Sequence, residues 1–275
     1  MSDENIQGEP QPDPKGEEST DGGSSSSDLV GKKIFFLYPT ASVQQQIITE
    51  LVQQEYEVYI AKDHARLAQA LKKYSDSVVF ANIDEGMPAQ EWERWIGGLF
   101  TSSPNIKAGI FSSNTDEEFR DKYVNKLHVT CGFFALKLDM SKTVDKVVEV
   151  LKIMNVKGRR KYLRATTERE STATLNMPHH GEFINGIIKD ISVVGVSCVF
   201  ENDPGLPKNA LFKDIQIRLQ TMLLKVEAVS FGSRDNNGEK IYVLLFTQRI
   251  DPDVRVKIRK YIQVNLQNKM DFEIS

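Results

Sequence analysis

Hydrophobic positions between residues 30 and 155 follow two alternating periods. Short apolar runs rich in β-branched and aromatic residues, such as KKIFFLY, SVVFANI and IKAGIF, predict buried strands. The segments between them, such as SVQQQIITELVQQ and PAQEWERWIGGLF, carry apolar residues at helical spacing. Five strand-like runs alternate with five helix-like runs. This alternation predicts an α/β domain over residues 30–155, built as a doubly wound five-stranded parallel sheet.

The pattern changes after Gly158 to closely spaced runs with a period of two. EFINGIIKDISVVGVSCVF, FKDIQIRLQ, LLKVEAVSFGS and KIYVLLFTQRI are strand-like, and RDNNGEK contains the Asn-Gly pair typical of hairpins. Short strands at this spacing predict a small antiparallel β-barrel. The run DPDVRVKIRKYIQVNLQ then returns to helical spacing and predicts a terminal helix. We therefore place a second domain at residues 156–268 and expect residues 269–275 to be frayed.

Composition supports two ordinary domains and one segment that does not fold. The chain has 275 residues and a mass of 31.1 kDa, which suffices for two domains. Residues 1–29 are acidic and rich in Gly, Ser and Pro, which predicts a disordered acidic tail. No apolar run is long enough to insert into a membrane, and the N-terminus does not resemble a signal peptide. With Cys131 and Cys198 in apolar strand-like runs, these features predict a cytoplasmic protein with reduced thiols.

Positive charge is concentrated in the second half of the chain. The formal net charge is −3, but residues 156–275 contain nineteen basic and fourteen acidic residues, a balance of +5. The densest basic stretch is GRRKYLR, residues 158–164, at the predicted domain boundary. Such a stretch serves as a solvated linker, a nucleic-acid patch or part of a pocket for a small anion.

Two motifs favour the small anion. Arg160 and Arg164 are four residues apart, which places two guanidinium groups on one face of a helix or of a strand. Guanidinium forks suit phosphate oxygens and the edge of guanine. In DISVVG, Asp190 and Ser192 alternate onto one side of a strand, where their oxygens accept from guanine or orient the arginines. Gly195 lacks a Cβ, so a ligand or a neighbouring backbone can approach closely.

RxxxR followed by DxSxxG resembles the signature of the PilZ domain, the bacterial receptor for cyclic di-GMP. All five signature positions match in this sequence, and the resemblance covers residues 156–268. It implies a six-stranded antiparallel barrel with a terminal helix. It also implies that the two arginines hold the phosphates and one guanine, while the residues of the second motif line the rest of the pocket. By analogy, Arg159 contacts a second, intercalated nucleotide. The predicted ligand-binding residues are Arg159, Arg160, Arg164, Asp190, Ser192 and Gly195.

The α/β region resembles a response-regulator receiver domain. Its DEGMP, which begins at Asp84, matches the family's DxxMP at the phosphoacceptor. Lys137 ends the fifth strand-like run, where the family has a lysine, and Ser112 or Ser113 occupies the switch position.

The receiver resemblance fails at the metal site. Where the family has two acidic residues that bind Mg²⁺, this chain has Tyr38 and Pro39. Phosphoryl transfer to Asp84 requires a cation that neutralises the phosphoryl oxygens. The sequence therefore predicts a pseudo-receiver that makes protein contacts.

These features predict a bacterial cyclic di-GMP effector that is not an enzyme. Neither a metal nor a cofactor is expected. The arginine arm would clamp the nucleotide, and its closure would change the domain arrangement and the contacts with an unnamed downstream protein. The chain would be a monomer or a homodimer. The alternatives are a phosphorylation-responsive regulator and a scaffold that binds no nucleotide. Binding to RNA or DNA ranks last, because the barrel offers few aromatic residues for base stacking.

Overall fold

The computed structural model describes residues 31–137, 139–167 and 173–274. The acidic segment 1–29 lies outside these ranges, so its predicted disorder stays a prediction. Among the described residues, no helix combines the length and the apolar character needed to cross a membrane.

The first domain has a five-stranded parallel sheet with strand order β2-β1-β3-β4-β5, which confirms the predicted doubly wound architecture. Its strands are β1 Lys33–Leu37, β2 Val58–Ala61, β3 Ser77–Asn82, β4 Lys107–Ser112 and β5 Phe133–Ala135. The helices are α1 (π-helical Val43–Ile48, then Thr49–Gln53), α2 His64–Lys73, α3 Ala89–Ser102, α4 (Glu117–Asp121, then π-helical Lys122–Lys126) and α5 Met140–Ile153.

Alternation along the central strands divides the apolar residues between two layers. In β1, Ile34 and Phe36 belong to one core cluster, whereas Phe35 and Leu37 belong to the cluster on the opposite face. Both faces are buried because successive strand side chains point to opposite sides and helices cover each side. Continuous apolar runs therefore mark this sheet, as the sequence pattern predicted.

The second domain contains a closed six-stranded antiparallel barrel, as predicted. Its strands follow the order β8-β7-β10-β11-β12-β9, and pairing of β9 with β8 closes the barrel. Their bounds are β7 Ala173–His179, β8 Glu182–Ser192, β9 Gly195–Phe200, β10 Leu211–Leu219, β11 Met222–Asn236 and β12 Glu239–Phe246. A two-residue strand, β6 (Ala165–Thr166), is added beside β8.

The terminal helix α6, Pro252–Glu273, contacts both domains. Asp251 caps its start by accepting from the amide of Asp253 at 2.8 Å. Ile258 and Tyr261 are buried in the barrel core, whereas Met270 is buried among the residues of the α/β core. The helix thus bridges two hydrophobic cores.

The sequence predicts a frayed end at residues 269–275, and the structure describes this segment as far as Ile274. The helix continues to Glu273, and Met270 is only 3% exposed. The Glu273 carboxylate accepts hydrogen bonds from Lys73 Nζ at 2.7 Å and from the Tyr74 hydroxyl. These contacts with α2 and the residue that follows it stabilise the last turn.

Helix α6 also caps the free edge of the parallel sheet. The Gln267 side chain accepts from the Ile60 amide at 2.8 Å and donates to the Ile60 carbonyl at 3.1 Å. An edge strand presents unpaired backbone groups, and the carboxamide of Gln267 satisfies them as a neighbouring strand would. This contact holds the end of the barrel domain's helix against β2.

Candidate ligand-binding site

The basic stretch forms an arm, residues 158–164, between α5 and β6. Its start is anchored, because Gly31 and Lys157 form an isolated antiparallel bridge and the Lys32 amide donates to the Val156 carbonyl at 2.8 Å. Its end is anchored by pairing of Ala165 with Ile191 in β8. The arm is therefore both the link between the domains and part of their interface.

Arg160 and Arg164 line one cavity of about 210 Å³ between the arm, the α/β domain and α6. Residues 158–164 form neither a helix nor a strand, so the four-residue spacing does not by itself place the two side chains on one face. The other lining residues come from both domains: Lys33, Glu57, Tyr59, Tyr74, Tyr162, Leu163, Leu266, Lys269, Met270 and Glu273.

Arg164 joins the two motifs. Its Nη1 lies 3.6 Å from Asp190 Oδ1, and the other carboxylate oxygen of Asp190 accepts a hydrogen bond from the Ser197 hydroxyl. The Arg164 side chain is 54% exposed, so this ion pair is screened by water and contributes little to stability. Asp190 thus contacts an arginine whose side chain is still more than half exposed to solvent.

Ser197 is a contact that motif reasoning missed. It lies on β9 directly across from Asp190, and this pairing follows only from the register of the barrel. A serine near the start of a strand-like run gives no sequence signal for that contact.

Ser192 and Gly195 have structural contacts at the β8–β9 turn. Ser192 is 4% exposed, and its hydroxyl donates to the Gly195 carbonyl at 3.2 Å and accepts from the Val194 amide at 3.4 Å. A methyl group on Gly195 would overlap the carbonyl oxygen of Leu244 on β12. The structure therefore holds both residues in the barrel wall.

Arg159 is exposed and lies outside the set of residues that line the arginine cavity. Its predicted contact with a second nucleotide stays a prediction.

Glu55 ties the arm to both domains. Its Oε2 accepts from the Leu163 amide at 3.1 Å, and its Oε1 accepts from Arg259 Nε on α6 at 2.9 Å. The Glu55 side chain is only 9% exposed. A carboxylate of the α/β domain therefore holds the arm and the terminal helix at one point.

At the end of the parallel sheet, Asp84 is held by Ser112 and Ser113. Ser112 Oγ donates to Asp84 Oδ1 at 2.6 Å, and the Ser113 amide donates to Oδ2 at 2.6 Å. Burial raises the pKa of Asp84, but these hydrogen bonds and the charge of Lys137 outweigh burial, so the pKa lies below its usual value. Asp84 is an ionised carboxylate with its oxygens already engaged.

Tyr38 packs at the edge where the receiver family has its acidic pair. Its hydroxyl lies 2.9 Å from His64 Nδ1, and its ring meets Trp92 edge-on at 6.1 Å between centroids. A methyl group on Gly86 would overlap the Tyr38 ring. Within the described ranges, no three His, Cys, Asp or Glu side chains are grouped so that they could hold a metal ion.

No family model and no curated protein matches the chain. Solved structures do match it. They include the PilZ domain of YcgR from Escherichia coli with c-di-GMP, at 15% identity and a TM-score of 0.36, covering 42% of this chain and 96% of that one. The K. pneumonia MrkH–c-di-GMP complex matches at 22% identity and a TM-score of 0.37, covering 43% of this chain. The match spans only 57% of the MrkH chain.

A receiver structure is also among the matches. The signal receiver domain of an HD domain-containing protein from Pseudomonas fluorescens Pf-5 shares 13% identity at a TM-score of 0.38, and the match covers 46% of this chain and 98% of that one. The similar solved structures thus include both PilZ domains and a receiver domain.

Proposed function

We propose that the protein is a cyclic di-GMP effector whose arginine arm binds the nucleotide against the barrel. The observation that supports this most is the junction of the two motifs: Arg160 and Arg164 line one cavity, and Arg164 pairs with Asp190. Two guanidinium groups beside a carboxylate match the phosphates and the N–H edge of a guanine nucleotide. Binding, rather than catalysis, is the activity that these residues support.

The contact energies suffice for a second-messenger receptor. A hydrogen bond to a charged group contributes about 1.5–3 kcal/mol. Three or four such bonds from the arm, together with stacking on a guanine, match the roughly −8 kcal/mol of a micromolar complex.

Ligand binding to the arm would also act on the domain arrangement. The arm that would close on the nucleotide is the segment whose Leu163 amide is held by Glu55. The same carboxylate holds Arg259 on α6. Movement of the arm toward a ligand would therefore change a contact shared by both domains, and the altered surface would be what a downstream protein detects.

The α/β domain serves this function as a pseudo-receiver. Tyr38 packs against Trp92 and His64 where the receiver family binds Mg²⁺, and Asp84 is engaged by Ser112 and Ser113. This arrangement favours protein contacts over phosphorylation.

Titration calorimetry with cyclic di-GMP tests the proposal on the full chain. We expect micromolar or tighter binding by the wild type and no binding by an Arg160→Ala/Arg164→Ala variant. A matched control, Arg218→Ala/Arg234→Ala, removes two exposed barrel arginines outside the cavity and should bind as the wild type does. Absence of binding by the wild type would contradict the receptor function and favour the scaffold alternative.

Small-angle scattering tests the domain arrangement separately. The profiles with and without cyclic di-GMP should differ at intermediate angles if the arm moves. Superimposable profiles of a protein that binds the nucleotide would refute the coupling while leaving the receptor function intact.

A further inference from the structure

Helix α6 contributes a cation to the arginine cavity. Lys269 lines this cavity together with Arg160 and Arg164, although it follows them by more than a hundred residues in the sequence. Two cationic residues of the arm and one of a helix therefore line the same cavity. No sequence motif marks this lysine.

The periodicity of the helix explains its position. Leu266, Lys269 and Glu273 are three and four residues apart, so they lie on one face of α6. All three line the cavity. That face is fixed in place, because Met270 is buried in the α/β core and Gln267 is bound to the backbone of β2. Lys269 is therefore presented by a rigid element.

The acidic residues of the cavity already have other partners. Glu57 is paired with Lys33 and accepts from the Tyr59 hydroxyl. Glu273 is bound by Lys73 Nζ at 2.7 Å and by the Tyr74 hydroxyl. The hydrogen bonds from Lys73 and Tyr74 lower the pKa of Glu273, and the charge of Lys269 contributes to the same effect.

The cationic residues are less completely compensated. Arg164 has the 3.6 Å contact with Asp190. In the part of the chain that the structure describes, no carboxylate lies within 4.0 Å of the charged nitrogens of Arg160 or Lys269. The cavity thus has an excess of positive charge, which suits an anion.

We propose that Lys269 is a third cationic contact for a phosphate of the nucleotide, so that the bound phosphodiester bridges the arm and α6. This inference rests on the proposed function. The volume of about 210 Å³ is below the usual range for pockets that enclose a whole ligand, so the cavity receives a phosphate and its adjoining sugar while the bases lie outside it. Because α6 contacts both domains, a ligand held by Lys269 fixes the arm relative to both.

A Lys269→Gln variant tests the contact, and Lys260→Gln is its matched control. Lys260 lies on the same helix and is exposed, but it lines a different cleft together with Lys62 and Arg66. We expect Lys269→Gln to weaken cyclic di-GMP binding by about tenfold, as for the loss of one charge-assisted contact. Lys260→Gln should change the affinity less than twofold, and Lys269→Arg should retain most of the wild-type affinity. Both glutamine variants should unfold at the wild-type temperature, since both lysines are exposed.

The salt dependence of binding provides a second readout. The slope of log Kd against log salt concentration should be shallower for Lys269→Gln than for the wild type, because one fewer cation then contacts the phosphate. Equal affinities and equal slopes for the Lys269→Gln and Lys260→Gln proteins would overturn this inference. The receptor function itself would stand in that case, provided that the wild type binds cyclic di-GMP and the Arg160→Ala/Arg164→Ala variant does not. Absence of binding by the wild type would instead refute the proposed function and this inference together.

Discussion

Replacement of Gly195 by alanine tests whether this signature glycine is required for the fold or for the ligand. Gly195 on β9 pairs with Leu245 on β12. An added methyl group would overlap the Leu244 carbonyl oxygen and lie 3.2 Å from the Leu245 Cα. Both obstacles are backbone atoms of β12, which is paired on both sides, so no side-chain rotation relieves the overlap.

The expected loss follows from the cost of separating the two strands. Overpacking of a well-packed site costs about 1–3 kcal/mol. Weakening one ladder hydrogen bond beside Gly195 adds about 0.5–1.5 kcal/mol. We expect the free energy of unfolding of the barrel to fall by roughly 2–3 kcal/mol in total, a large part of the ~5–15 kcal/mol of a typical domain. With a urea m-value of about 1–3 kcal/mol/M, the midpoint should fall by roughly 1 M.

Cys198 reports on the barrel alone. It is buried on β9, and burial raises the pKa of its thiol to about 12. The chain has two cysteines, so Cys198 is the only thiol in a Cys131→Ala background. Labelling by a thiol reagent across a urea gradient then follows exposure of the barrel core, because the unreactive thiol reacts only after the barrel opens.

A glycine-to-alanine change elsewhere is the control. Gly97 lies within α3, and a methyl group there meets no atom within 4 Å, so Gly97→Ala should leave the Cys198 transition unchanged. If Gly195→Ala kept the wild-type midpoint but lost affinity for cyclic di-GMP, the packing explanation would be refuted. Gly195 would then be required for close approach of the ligand.

Three further predictions concern other contacts. Hydrogen bonds from Lys240, and to a lesser extent from Tyr242, lower the pKa of Asp203 to about 2. The ionised carboxylate therefore stabilises the fold above the usual pKa near 4, and this stabilisation is lost as the pH falls through about 2. The melting temperature of Asp203→Asn should therefore vary less than that of the wild type between about pH 4 and pH 2. Gln267→Ala should destabilise the junction between α6 and β2 by about 1–3 kcal/mol and speed amide exchange at Ile60, because two backbone groups lose their partners. Acetyl phosphate with Mg²⁺ should leave Asp84 unmodified, and intact mass spectrometry should show no added phosphoryl group.

Each of these predictions has an outcome that contradicts it. Equal pH profiles of the wild type and Asp203→Asn would show that the carboxylate has a similar pKa in the unfolded chain. Asn268→Ala changes the exposed neighbour of Gln267 on the same helix, and equal amide exchange in the two variants would refute edge capping. A phosphoryl group located on Asp84 by peptide mapping would restore the response-regulator alternative.

Much of the architecture followed from local pattern. The change from alternating strand and helix runs to a period of two near Gly158 predicted both domains, and the structure has both sheets. Arg160 and Arg164 also line one cavity, but residues 158–164 form neither a helix nor a strand, so this depends on the path of the arm and not on the four-residue spacing. Side-chain direction within a helix or a strand depends on sequence separation alone, so the buried faces of the two sheets, unlike the arm, can be read from the chain.

Contacts between distant segments were decided only by the tertiary structure. The end of α6 is polar, so its sequence alone predicted fraying. Its contacts are with Tyr74, some two hundred residues earlier in the chain, and with the α/β core around Met270. The position of Lys269 in the cavity depends on how α6 docks across the two domains. The role of Gly195 depends on the register of β9 with β12. Periodicity shows which face of an element is apolar, but packing energy between elements decides which residues that face meets.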